Sequence, residues 1–430
     1  MESTFSLSHQ RETVFWTDTG IPVYLYPSVH LHSFCLCLYL RAGSMFEAEE
    51  ENGITHAVEH AVFRNINRLM GGALYETLDR LGLCFEGTTY KEFVQFSITG
   101  APAHFAKAAE IFSLLFSPFV LTGKDWLPEK NRIKAEIREE GERATLDYFT
   151  DGILHAGTSL ARTITGTAGR VESFSLRMLE NARQRIFSAN NAFFYLTGRA
   201  TETDVDTLLR AASAFPVDRD TPRRENIAPL SPAFLHRNAT VAVKRRSRHA
   251  VRLSIDVDTA LTTDARLMLL YDLLLGDGEE CLLHRALSED RGYIYSFRPS
   301  LELYRNMAVM SFSYEIPPAK LLSSVSLATS TMAALKQGVK DLSAVRAPYT
   351  YNAEMILDDA ADCNFNRAYE TKLLSLPYHS VADRAAAYAA VTEEQVMMTA
   401  RAIFRPENVT LTVGGSRVNT DALREIILGL

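Results

Sequence analysis

Two segments far apart in the chain read as copies of one another. ARQRIFSANNAFFYLTG (182–198) and ARAIFRPENVTLTVGG (400–415) pair Phe187 with Phe404, Asn191 with Asn408 and Gly198 with Gly415, all at one offset of 217 residues. Each has the signature of a helix, a turn and a strand. A second echo runs strand, proline, helix: FVQFSITGAPAHFAKAAEIF (93–112) and MSFSYEIPPAKLLSSVSLAT (310–329). Several features repeated in one order predict a duplicated α/β domain of roughly 200 residues, an ordinary domain size. The stretch from Pro216 to Pro232 holds four prolines and several charges and reads as a linker. The expected organisation is therefore a first domain over 1–220, a linker over 221–235 and a homologous domain over 236–430, an α+β fold of two sandwich domains.

Within the first domain, IPVYLYP (21–27), FCLCLYL (34–40) and FVQFSI (93–98) read as strands, and AHFAKAAEIFSLLF (103–116) is helical in period. Cys35 and Cys37 alternate with apolar residues, share one side of their strand, and read as small core residues; the five cysteines form no paired framework. A net charge of −7 argues against nucleic acid as a main partner, and the short basic run KRRSR (244–248) reads as a solvated strand end. No apolar run reaches the ~18 residues needed to cross a bilayer, so no membrane association is expected. The opening MESTFSLSHQRE has neither an apolar signal core nor a transit-peptide composition, which points to the cytoplasm.

The sharpest chemical signal is ITHAVEHAV (54–62). On a helix, His56 and His60 project from one face, one turn (~5.4 Å) apart, and Glu59 lies beside them. That spacing lets two imidazoles hold one metal ion, and zinc suits imidazole with carboxylate. The order H-x-x-E-H marks the inverted zinc peptidases. His104, His155, His249 and His379 stand apart and read as surface or satisfied polar residues. A catalytic zinc takes a third protein ligand. PEKNRIKAEIREEGE (128–142) is a helix candidate with Pro128 in its first turn and Gly141 near its end. Glu129 and Glu136 share a face there, but spacing does not choose among Glu129, Glu136, Glu139 and Glu140.

At these residues the chain resembles the pitrilysin, insulin-degrading enzyme and mitochondrial processing peptidase family of zinc metallopeptidases. LRAGSMFEAEEENGITHAVEHAVF (40–63) is similar to the family's zinc helix and the strand and glycine turn before it. E-x6-E follows at the family's distance, with 75 residues between His60 and Glu136. SLARTITGTAGRVESFS (159–175) and GDGEECLLHRALSEDRGYIYSF (276–297) are similar to further family segments. The resemblance implies that Glu136 is the third Zn2+ ligand, Glu129 a supporting carboxylate and Glu59 the general base. It also implies that the two domains form one half of a clamshell chamber, and that a peptide substrate adds as an extra strand near 88–98, along Glu86, Gly87, Thr88 and Thr89.

Two departures from the family stand out. Glu86-Gly87 replaces the usual Asn-Ala, which bears on side-chain contacts but not on backbone pairing. In the second domain Tyr295 is kept, but Ser288 stands where the family has an arginine that reaches, with the tyrosine, across to the opposite half. A serine cannot do what a guanidinium does for an anion; Arg285 and Arg291 are the nearby substitutes. These features together imply a zinc metalloendopeptidase acting on flexible peptides, such as precursor or leader peptides. The expected partner is a zinc-free family member supplying Arg and Tyr in a heterodimer, with a homodimer as the alternative. The rival from another class is a non-catalytic structural or peptide-binding subunit.

Overall fold

The computed structural model describes residues 11–140, 145–212, 239–246, 249–276, 281–304 and 307–430. The expected linker, Gly141 and part of the basic run lie outside them. The chain divides into two units. The first comprises Met1–Glu142, His155–Ile227 and Glu354–Ser380; the second comprises Arg143–Leu154, Ala228–Ala353 and Val381–Leu430.

In the first unit the strands are β1 (Thr13–Trp16), β2 (Pro22–Pro27), β3 (Phe34–Leu40), β4 (Cys84–Thr89), β5 (Val94–Gly100) and β6 (Ala192–Gly198). They form one sheet in the order β1-β2-β6-β3-β5-β4. Only β2 and β6 run parallel; every other neighbour is antiparallel. The continuous apolar run of β3 is buried along its whole length because it sits between β6 and β5 with both faces covered. Helices α1 (Ile54–Leu69), α2 (Leu74–Leu81), α3 (Phe105–Ser113) and α4 (Gly123–Glu140) belong to this unit. Phe34, Phe96, Phe112, Phe116 and Phe194 form much of its core. Each such ring contributes roughly 1.5–3 kcal/mol by leaving water.

The second unit repeats this pattern with β7 (Thr240–Arg245), β8 (Ala250–Asp258), β9 (Arg298–Leu303), β10 (Met307–Glu315) and β11 (Val409–Gly415), in the order β7-β11-β8-β10-β9. The parallel pair is again at the same place, β7 with β11. β6 and β11 start and end at the offset of 217 found in the sequence. The predicted duplication is thus present in topology and in register.

Three expectations change. The helix carrying Glu129 and Glu136 starts five residues earlier than Pro128, at Gly123. Asp125 accepts from the Thr122 backbone N–H (2.8 Å) and hydroxyl (2.6 Å), and buried Trp126 donates to the Phe174 carbonyl (3.1 Å), so the first turn is fixed before Pro128 is reached. Pro128 then removes a single intrahelical bond near the start, where the loss is tolerated. Second, β5 lies between β3 and β4, so of the expected 88–98 only β4 has a free edge for another strand. Third, each unit includes a segment from the far side of the expected linker. Helix Ala360–Ala368 belongs to the first unit, where buried Asn364 donates to the carbonyls of Tyr195 (2.8 Å) and Cys35 (3.1 Å) and accepts from the Tyr39 hydroxyl (3.0 Å). Helix α5 (Leu146–Leu154) belongs to the second, where Thr150 bonds Thr412 (2.6 Å) and Asp147 pairs with buried Arg252 (3.1 Å). Buried polar groups need partners, and these segments supply them to Tyr39 and the Cys35 and Tyr195 carbonyls in the first unit and to Arg252 and Thr412 in the second. Cys35 and Cys37 are buried and free, with sulfurs 3.5 Å apart, as small core residues should be. Among the described residues no helix is long and apolar enough to cross a membrane.

Candidate metal centre

The start of α1 is set by a carboxylate that sequence reasoning did not single out. Glu47, buried, accepts from the backbone N–H of Gly53 (2.8 Å) and Thr55 (2.8 Å) and from the Asn52 side chain (2.9 Å). Two of the helix's orphan donors are satisfied in this way, and a negative charge at a helix N-terminus is favourable. Burial pushes the Glu47 carboxyl up, against the lowering by these bonds. Gly53 has φ +93°, and a Cβ there would lie 2.6 Å from the Thr165 carbonyl oxygen. The 159–175 segment is therefore packed against the helix start: Asn52 donates to the Thr163 carbonyl (2.8 Å), and Arg162 donates to the Glu47 carbonyl.

One turn into α1, His56 and His60 stand with ring centroids 4.7 Å apart. From α4, Glu136 places Oε1 3.4 Å from His56 Nε2 and Oε2 3.4 Å from His60 Nε2. One donor atom from each of the three lies within 4.8 Å of the others, the only such group among the described residues. Glu129 is buried, faces His60 Nδ1 at 3.6 Å and is held by Arg132 at 3.1 Å. Glu139 is exposed. Among the described side chains, Glu136 is thus the one that meets both imidazoles, and Glu129 stands behind one of them; the Glu140 side chain lies outside the described residues.

Burial opposes protonation of His60, but the Glu129 and Glu136 carboxylates outweigh it and carry its pKa up to about 9. The bonds from His56 and then His60 hold the Glu136 carboxyl well below the usual range. A divalent ion fits this donor set of two nitrogens and one oxygen, and half-exposed Glu136 leaves one side open to water. The His60 pKa gives a testable sign. Its proton stabilises the metal-free fold fully below the unfolded value near 6.5, and that stabilisation is lost as pH rises through about 9. Metal needs the neutral ring, so zinc binding is expected to release a proton near pH 7 and to strengthen with pH until it levels off near 9. Calorimetry in buffers of different ionisation heat checks this; a buffer-independent heat contradicts it.

Glu59 is buried between α1 and β4. Its Oε2 accepts from the Thr89 hydroxyl at 2.5 Å. A Cβ at residue 87 would come within 3.1 Å of Glu59 Cγ and Oε1 and 2.7 Å of Phe63, so Gly87 is what lets the carboxylate lie against the strand. The four strand residues expected to meet substrate therefore divide. Gly87 and Thr89 turn toward α1, while Glu86 shares the other face with Cys84. The backbone of β4 remains at the sheet edge. Tyr295 lies in the second unit and is 96% exposed; Arg285 and Arg291 are also exposed.

Residues 28–167 match the family described as Insulinase (Peptidase family M16), and residues 173–347 match the Peptidase M16 inactive domain. The chain belongs to this peptidase family. His56, Glu59, His60 and Glu136 all fall in the first match. The chain is 26% identical over 175 residues to a probable mitochondrial-processing peptidase subunit beta of Arabidopsis thaliana (39% of this chain, 32% of that protein). It is 21% identical over 188 residues to the uncharacterized zinc protease YmxG of Bacillus subtilis (43% and 46%). Over 154 residues it is 23% identical to cytochrome b-c1 complex subunit 1 of Bos taurus (35% and 32%). The matched region thus spans a third to a half of the length of these relatives. Among solved structures, the first half of the periplasmic protease PqqL of Escherichia coli superimposes with a TM-score of 0.75 at 14% identity, covering 98% of this chain and 97% of that one. Against full-length PqqL, 99% of this chain covers 51% of the protease (TM-score 0.75, 15% identity). The fold is accordingly one half of the family's two-half architecture.

Proposed function

We propose that the chain is the zinc-bearing half of a metalloendopeptidase that cuts flexible peptides in a chamber completed by a second subunit. The observation that carries this reading is the meeting of His56, His60 and Glu136 around one point, with Glu59 beside it and an open strand edge on β4. A purely structural subunit has no need of such a set. Bound by His56, His60 and Glu136, Zn2+ would supply the Lewis acidity that lowers the pKa of water and polarises a carbonyl. Glu129 orients His60 through Nδ1, a role whose loss typically costs 10–100-fold in metal affinity or activity. Thr89 holds one oxygen of the Glu59 carboxylate and leaves the other for the attacking water. Glu59 takes a proton from that water and passes it to the leaving amine. The peptide pairs with β4 through main-chain groups.

Ser288 in place of the family's arginine favours a heterodimer in which a zinc-free family member brings Arg and Tyr. Two of the relatives above are themselves named as subunits. Turnover of quenched fluorescent peptides by the chain purified alone is expected to be weak and to rise when such a partner is added. Full activity from a homodimer would contradict the heterodimer.

A further inference from the structure

The stripe of α1 that bears His56 and His60 continues, one turn at a time, to Arg64 and Arg68. Two cavities of about 450 Å³ each lie along it, and Arg64 lines both. The first opens beside His60 and Glu59 and has aromatic walls from Phe63, Tyr75 and Phe85. Its size falls in the ~300–1,000 Å³ range of ligand sites. Most charges around the two cavities are already committed. Arg132 pairs with Glu129 at 3.1 Å, Arg68 with Asp125 at 2.9 Å, and Glu59 is held by Thr89. Glu86 lines the mouth of the first cavity, exposed to solvent and hydrogen-bonded to Cys84. Arg64 is half-buried, and among the described residues its guanidinium makes no hydrogen bond or ion pair; its charge acts at longer range on Asp125 and Glu129, which are already paired with Arg68 and Arg132. A guanidinium presents planar paired donors that match a carboxylate.

We propose that Arg64 makes this site select peptides that carry a carboxylate on the His60 side of the bond that is cut. The inference rests on the peptidase reading above. The aromatic walls suit the methylene stem of a glutamate, and Arg64 takes its charge; the carboxylate of a peptide's own C-terminus offers the same chemistry. Arg64 is one helical turn, ~5.4 Å, beyond His60, so the selected group lies within one or two residues of the reacting carbonyl, given ~3.3 Å per extended residue.

The test uses the zinc-loaded Glu59→Gln protein, which binds without cutting, and fluorescein-labelled decapeptides read by anisotropy. Glu, Gln and Lys are placed in turn at each position flanking a bond that the parent protein cleaves. A separate arm compares Gln peptides ending in a free carboxylate or an amide just past that bond. Glu at one or two positions on one side is expected to bind about 10-fold tighter than Gln. Arg64→Gln removes the difference and Arg64→Glu turns it toward Lys, a reversal that a misfolded protein cannot give. Preference in the chain-end arm alone assigns the carboxylate to the substrate terminus. Equal binding of Glu, Gln and Lys peptides that the parent protein does cleave overturns the Arg64 assignment and leaves the peptidase reading intact. Absence of binding to every peptide, together with absence of cleavage by the parent protein both alone and with a zinc-free family member added, overturns both.

Discussion

Glu59→Gln is expected to lower kcat/KM for peptide cleavage by about 10²- to 10⁴-fold, the range for a general acid–base group, with no change in zinc content. The substitution keeps the shape of the side chain and still accepts from Thr89 through its amide oxygen. It removes only the capacity to take a proton from water. Because Glu59 is not among the residues that meet at the metal position, the metal should stay, and loss of activity without loss of zinc separates the base from the ligands. If Glu59→Gln cleaves peptides as fast as the parent protein, the assignment of the base is wrong.

Thr89→Val should have the next largest effect that leaves the ligands untouched. Valine fills the same space but leaves the buried Glu59 carboxylate without its hydroxyl donor. A hydrogen bond to a charged group contributes roughly 1.5–3 kcal/mol, which corresponds to about 10- to 150-fold in rate. The loss should fall on kcat, with KM and zinc content near their parent values, because the Thr89 hydroxyl orients the base while peptide pairing with β4 uses main-chain groups that the substitution keeps. Thr89→Ser should restore most of the rate. A Thr89→Val protein with unchanged kcat, or one whose loss Thr89→Ser does not repair, removes Thr89 from this role.

Much of the architecture was legible because it depends on local signals. The helix end, turn and glycine-terminated strand at 182–198 recur at 400–415, and the two strands they specify have one length and one register. His56, Glu59 and His60 were legible because helical period alone places them together. Glu136 was one of four choices from spacing, and its selection needed the packing of α4 on α1. Other features rest on contacts without a periodic signature. Glu47 reads as one more surface acid in an acidic stretch, yet it is buried and caps α1. Thr89 is 30 residues from the carboxylate it serves. The segment exchange between units hangs on pairs such as Tyr39 with Asn364, separated by 325 residues. Proline favours the first turn and so points to a helix start at Pro128, but the Thr122–Asp125 cap and the Trp126 anchor fix the start earlier. Arg64 would have passed as an ordinary helix-surface charge. Only the cavities on either side of it, and the pairing of its neighbours, distinguish it.

Whether His56, His60 and Glu136 form one zinc site is tested most directly by calorimetric titration of the metal-free protein with Zn2+, beside Glu136→Gln. Saturable binding of one ion per chain is expected in the parent protein and loss of that binding in Glu136→Gln, with both proteins folded by circular dichroism. Zinc binding of equal strength in the two proteins, or none in the parent, would contradict this assignment.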